Sequence, residues 1–189
     1  MLYHASQTPG LKELTPHISN HGKPLVYLSE KRENTLVYLS NAVEKCCLEE
    51  GLKHKGIYEK WGSYGFNAKG KLVLDEYYPN ATYETYKGVS GYIYSVIEDG
   101  EATDLDGIPF AKISDRSVRI AGCEFIPDAY EALCEAEKNG LIILTHYKDN
   151  SPQMLEWIRK TVLSEYRNSI DKPEYRFFLE KKFGGIAVK

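Results

Sequence analysis

Apolar positions fall in short blocks along this chain, and their period changes from place to place. Leu2 to Ala5 is an apolar run closed by the turn residues Thr8-Pro9-Gly10, which predicts a strand. Leu25 to Leu28 predicts a second. Leu36, Leu39, Val43 and the Cys46-Cys47 pair then recur at helical spacing up to Gly51, so a helix is expected there, capped by Ser29 with Glu30 in its first turn. Beyond Lys53 the pattern turns to β. His54 to Lys60, Lys71 to Tyr77 and Tyr92 to Ile97 are the expected strands, punctuated by Gly62, Gly65, Gly70, Pro79-Asn80 and Gly88. The acidic, turn-rich stretch from Asp99 to Pro109 reads as a surface loop. Ser117 to Ile126 is β-like again, and Gly122 marks a bulge where the alternation slips. Asp128 and Glu131 have the spacing of a capping box, Leu133 and Ala136 continue an apolar helix face, and Gly140 stops it. Leu141 to Tyr147 predicts a strand. Ser151-Pro152 opens a helix with Ile158, Val162 and Tyr166 on one stripe, and 171–189 reads as a short helical or extended tail.

The resulting order is β, β, α, several β, α, β, α. Strands and helices are not strictly interleaved, so an α+β fold is expected rather than a doubly wound parallel sheet. The 189 residues suit a single domain, with a core over about 1–147 and a C-terminal helical extension over 151–189.

Composition narrows the function classes. A net charge of −3 disfavours a phosphate-driven nucleic-acid binder, which normally carries excess Lys and Arg. With 15 Tyr against 6 Phe, the aromatic surplus has polar tips and suits a wet cleft or an interface as well as a core. The four Cys (Cys46, Cys47, Cys123 and Cys134) show no Cys-x-x-Cys spacing, so no metal is expected and free thiols in a reducing, cytoplasmic compartment are. The beginning of the chain shows no basic and then apolar leader, and no apolar stretch is long enough to span a bilayer.

Three short constellations could carry chemistry. In Leu2-Tyr3-His4-Ala5-Ser6 a His at a strand end has a Ser two residues on. In Val26-Tyr27-Leu28-Ser29, followed on the helix by Tyr38, two rings could face each other across a slot that takes a flat or cationic ring. In Arg119 to Pro127, Glu124 sits on a strand just before the capped helix, where a carboxylate can accept a substrate hydroxyl and stabilise a developing cation. Each taken alone is more often ordinary: a packed or surface His, two interface Tyr, a solvated Glu.

In order and spacing, Tyr3-His4-Ala5-Ser6 followed by Tyr27-Leu28-Ser29 and Tyr38, with Ser117-Val118 through Glu124-Phe125-Ile126 later, resembles the ADP-ribosyltransferase superfamily. The resemblance is to its His-Tyr-Glu branch, which holds the diphtheria-toxin-like enzymes and the poly(ADP-ribose) polymerases. It implies a split antiparallel β-sheet with flanking helices that binds NAD as substrate. His4 would hold a ribose hydroxyl with Ser6 beside it. Tyr27 and Tyr38 would sandwich the nicotinamide, and Ser29 would support the site. Glu124 would bind the 2′-hydroxyl and stabilise the oxocarbenium-like transition state as nicotinamide leaves, so that all these groups would meet around one hollow. ADP-ribose would then pass to an unknown protein or small-molecule acceptor.

Two features keep other readings open. Ala5 stands where many members have Gly. Some relatives carry the acid in a Glu-x-x-Ser setting, and the comparable stretch Phe110-Ala111-Lys112-Ile113-Ser114 has Lys112 there. In that register the protein would be a catalytically degenerate NAD or ADP-ribose binder of the same fold. An interaction protein using a Tyr-rich surface is the third reading.

Overall fold

The computed structural model describes residues 1–18, 22–54, 56, 58–97 and 100–187. The chain divides into two compact units, and neither is one continuous segment. The first comprises Met1–Ser40, Tyr64–Val73 and Tyr86–Ile143; the second comprises Asn41–Ser63, Leu74–Thr85 and Leu144–Lys189. The last helices, which the sequence places in a C-terminal extension, belong to the second unit together with 41–63 and 74–85.

The first unit is built on a mainly antiparallel sheet. Its strands are β1 (Leu2–Ser6), β2 (Glu13–Leu14), β3 (His17–Ile18), β4 (Pro24–Ser29), β7 (Gly91–Val96), β8 (Thr103–Asp104), β9 (Ala111–Ser114) and β10 (Val118–Ile126). They lie in the order β2-β10-β7-β1-β4-β9-β8, with β3 paired to β4. Between them in the chain come β5 (Tyr64–Phe66) and β6 (Leu72–Asp75), which with β11 (Ile143–Thr145) form a small sheet in the order β11-β6-β5.

Strand alternation gives the large sheet two distinct faces. On one, Leu2, Val26, Leu28, Val96 and Leu14 form a buried cluster, flanked by Leu11, Ala102, Val118 and Ile120. On the other, Ala5 and Ile93 are buried. A 3-10 helix (Glu33–Leu39) packs there on β1 and β7, and α3 (Ala129–Lys138) packs on that 3-10 helix. Gly91 permits this approach, because a Cβ there would stand 2.6 Å from Leu39 Cδ2 and 3.2 Å from the Ser6 carbonyl oxygen.

The second unit is helical. It contains α1 (Ala42–Glu49), α2 (Ala81–Tyr86, ending at the unit boundary), α4 (Pro152–Asn168) and α5 (Pro173–Ala187, kinked at Phe183). Its buried cluster joins Val43, Cys46 and Cys47 of α1 to Tyr78, Ala81, Ile158, Val162, Phe178, Leu179 and Phe183. The Trp61 ring stands 5.3–6.4 Å from those of Tyr77, Tyr175, Phe178 and Phe183. All four cysteines are free thiols.

Several sequence expectations are met. β1, β4, β6, β7 and β10 fall where the apolar pattern places them, and the register of β10 shifts between Ile120 and Gly122, as a bulge requires. Ser151 caps α4 by accepting from the Met154 N–H.

Others are corrected. The single helix expected from Ser29 to Gly51 is broken at Ser40, whose backbone is extended, and Ser29 ends β4 instead of capping a helix. Ser and Asn compete with helical hydrogen bonds and favour boundaries, and the Ser40-Asn41 pair sits at this one. Asp128 does cap α3, accepting from Tyr130 and Glu131 N–H, but the Glu131 carboxylate turns to Lys87, so the box is only half formed. No described residue of the expected strand from His54 to Lys60 is in a strand, and Lys55 and Ile57 lie outside the described residues. Asp99, at the head of the expected acidic loop, does too.

Candidate functional site

β1 places His4 and Ser6 on one face of the large sheet and Tyr3 and Ala5 on the other. Pairing carries that assignment across the strands. His4 opposes Tyr94, which opposes Cys123; Ser6 opposes Tyr92, which opposes Phe125. Ala5 opposes Ile93, which opposes Glu124. Directly opposed residues of antiparallel strands share a face. His4 and Glu124 therefore project from opposite faces of the sheet, with their strands about 10 Å apart. The pairing does not bring His4 to the face that carries Glu124, where a single hollow would need both. A one-residue difference in register, which no strand pattern in a single sequence specifies, decides this.

Tyr3 opposes Ser29, so Ser29 and, two residues back, Tyr27 belong to the Glu124 face. Three strand steps separate β4 from β10, about 14 Å. Ser29 is buried, and its hydroxyl accepts from the Lys31 N–H at 3.1 Å, so it shapes the exit from β4. Tyr38 lies on the 3-10 helix with its ring edge-on to Tyr64 at 5.8 Å. Burial, with Tyr38 beside it, pushes the Tyr64 phenol well above its ordinary value.

Glu124 is held by an ion pair that no motif announces. Arg32, at the mouth of the 3-10 helix, donates from Nε and Nη2 to the two carboxylate oxygens at 2.7 and 2.6 Å. This two-pronged bond holds the Glu124 carboxyl below its ordinary value, with partial burial opposing. Its side chain is still 51% exposed, so the pair contributes only up to about 1 kcal/mol. Because the folded-state value is lowered, the contribution is present at neutral pH and is lost as pH falls below the ordinary carboxylate range. Arg32→Ala should therefore reduce stability by up to about 1 kcal/mol at pH 7. Urea melts of the variant and wild type at pH 7 and pH 3 check this, and the difference should be smaller at the lower pH.

His4 sits where the sheet parts. Among the described residues, β1 and β4 register at one pair, Tyr3 with Ser29. Just beyond it, His4 Nδ1 lies 2.9 Å from the Tyr27 carbonyl oxygen. A carbonyl only accepts, so in this contact Nδ1 is the donor, and the bond fixes the orientation of the ring. Ser6 is turned inward on its own loop, its hydroxyl accepting from the Thr8 N–H.

Along this face the sheet passes from core to open surface. Leu2, Val96 and Leu28 are sealed, His4, Ser6 and Tyr92 are half-buried, and Cys123 and Phe125 are exposed. Tyr94 is buried beneath them, its hydroxyl donating to the Thr8 carbonyl and accepting from the Leu11 N–H. Lys112 opposes Leu28 on this same face and is paired with Asp104 and Glu30.

Among the described residues, no group of three or more His, Cys, Asp or Glu is placed to hold a metal ion, and no helix is long and apolar enough to cross a membrane. No family model matches the chain, and no curated protein or solved structure is significantly similar to it.

Proposed function

We propose that this chain is an ADP-ribosyltransferase-like module that binds NAD or ADP-ribose where β1 and β4 part, and that it does so without cleaving the nicotinamide–ribose bond. The observation that carries the reading is the half-buried His4 imidazole, oriented at the β1–β4 parting by its Nδ1 bond to the Tyr27 carbonyl at 2.9 Å. An imidazole held in one orientation is a suitable hydrogen-bonding partner for a ribose hydroxyl. The splayed β1–β4 pair is what a split sheet of this family would present. Turnover lacks support for a physical reason. Bond cleavage places positive charge on the ribose, and the carboxylate expected to stabilise it leaves the opposite face of the sheet and is already neutralised by Arg32.

Calorimetric titration with NAD and with ADP-ribose tests the binding. Wild type is expected to bind both, and His4→Ala to weaken binding roughly ten-fold, the worth of one lost hydrogen bond. No binding by wild type at millimolar ligand would remove the proposal and favour a protein that works through partner surfaces. A nicotinamide-release assay tests the absence of turnover. Wild type and Glu124→Ala are expected to be equally silent, and release that Glu124→Ala abolishes would restore the enzyme reading, with ADP-ribose passing to an acceptor.

A further inference from the structure

The open end of the His4 face ends in rings. Tyr92 and Phe125 are directly opposed on β7 and β10, with centroids 5.3 Å apart at 48°, and Tyr92 also lies near-parallel to Tyr94 at 6.1 Å. Phe125 is 55% exposed, on a part of β10 that pairs with β7 while β2 reaches only Val118 and Arg119. The Tyr94 hydroxyl is bonded on both sides, so the ring beneath Tyr92 is fixed. Ser6 opposes Tyr92, which places this pair one row beyond His4 on the same face. None of the residues that β1, β7 and β10 place on this face is acidic.

We propose that the Tyr92–Phe125 pair is the platform on which the adenine ring of the bound nucleotide stacks. The inference rests on the reading of His4 as a ribose anchor and extends it to the base. Tyr92 lies one strand and two residues from His4, about 8 Å along the face, and Phe125 one strand further. A neutral purine suits rings without a carboxylate on the strands beside them, whereas the cationic nicotinamide of NAD would gain from a counter-charge that β1, β7 and β10 do not place on this face.

Titrations with adenosine 5′-monophosphate, nicotinamide mononucleotide and ribose 5-phosphate test it. Phe125→Ala should weaken adenosine 5′-monophosphate roughly ten-fold or more, the usual cost of removing a stacking ring, and leave ribose 5-phosphate unchanged. Phe125→Trp should retain binding and give a fluorescence change on addition of the adenine nucleotide, which separates loss of the ring from loss of the fold. Phe125→Ala weakening only nicotinamide mononucleotide would overturn the adenine assignment. If His4→Ala weakens all three ligands and Phe125→Ala none, the anchor stands and the platform falls. If wild type binds none of them, the functional reading fails and takes this inference with it.

Discussion

Phe178→Ala is expected to lower the unfolding free energy by about 3–5 kcal/mol, the range for emptying a fully buried aromatic site. Phe178 has 0% exposure and lies at the centre of the helical unit. Its ring meets Trp61 at 5.5 Å, Tyr175 at 6.4 Å in near-parallel stacking, and Phe183 at 6.4 Å edge-on. These neighbours are themselves large rings locked against one another, so they cannot fold inward to fill the space, and the cavity cost is added to the transfer cost. Urea denaturation followed by tryptophan fluorescence is the measurement, since Trp61 borders the hole. A midpoint equal to wild type would show that the cluster does not hold this unit together. Phe178→Leu, which leaves a smaller gap, should cost less.

Glu76→Ala should cost about 2–4 kcal/mol, because it leaves two backbone donors without partners. Glu76 is 6% exposed, and its carboxylate is bonded on both oxygens, with His146 Nδ1 3.6 Å from Oε2. Oε1 accepts from the Thr82 N–H in the first turn of α2, and Oε2 accepts from the Tyr147 N–H. Its own carbonyl accepts from the Asn150 side chain at 2.9 Å. One carboxylate thus satisfies groups from two chain segments far apart in sequence. Glu76→Gln keeps one acceptor oxygen and should lose less than Glu76→Ala. Equal losses in the two variants, read from thermal melts, would mean that packing and not hydrogen bonding sets the cost.

The parts of the molecule that the sequence reveals are those fixed locally. β1, β4, β7 and β10 carry alternation or short apolar runs, α3 and α4 carry Asp128 and Ser151 caps, and the bulge in β10 announces itself at Gly122. What stayed hidden depends on long-range pairing. The strand β9 lies in a stretch whose Lys112 points to Asp104 and Glu30, so its polar–apolar pattern looks like that of a loop. The helical unit draws on three separate pieces of chain, and Trp61 among them carries no periodic signal. In the site, Ser6 and His4 were visible as residue types, but the faces they share with Tyr92 and Phe125 follow from the pairing of three strands. The Tyr92-x-Tyr94 alternation is the one signal that could have pointed there. Arg32 offered none, since a lone Arg after a strand is common on any surface.

The chain passes from one unit to the other at Ser40, Ser63, Val73, Thr85 and Ile143. During synthesis, therefore, the segment carrying Val43 and Cys47 emerges long before Phe178 and Phe183, the residues that close over it. Its greasy side must wait, exposed to solvent or to a chaperone, until more than half of the polypeptide has followed. The sheet that bears His4 faces a shorter delay, because its last strand, β10, is made well before α5.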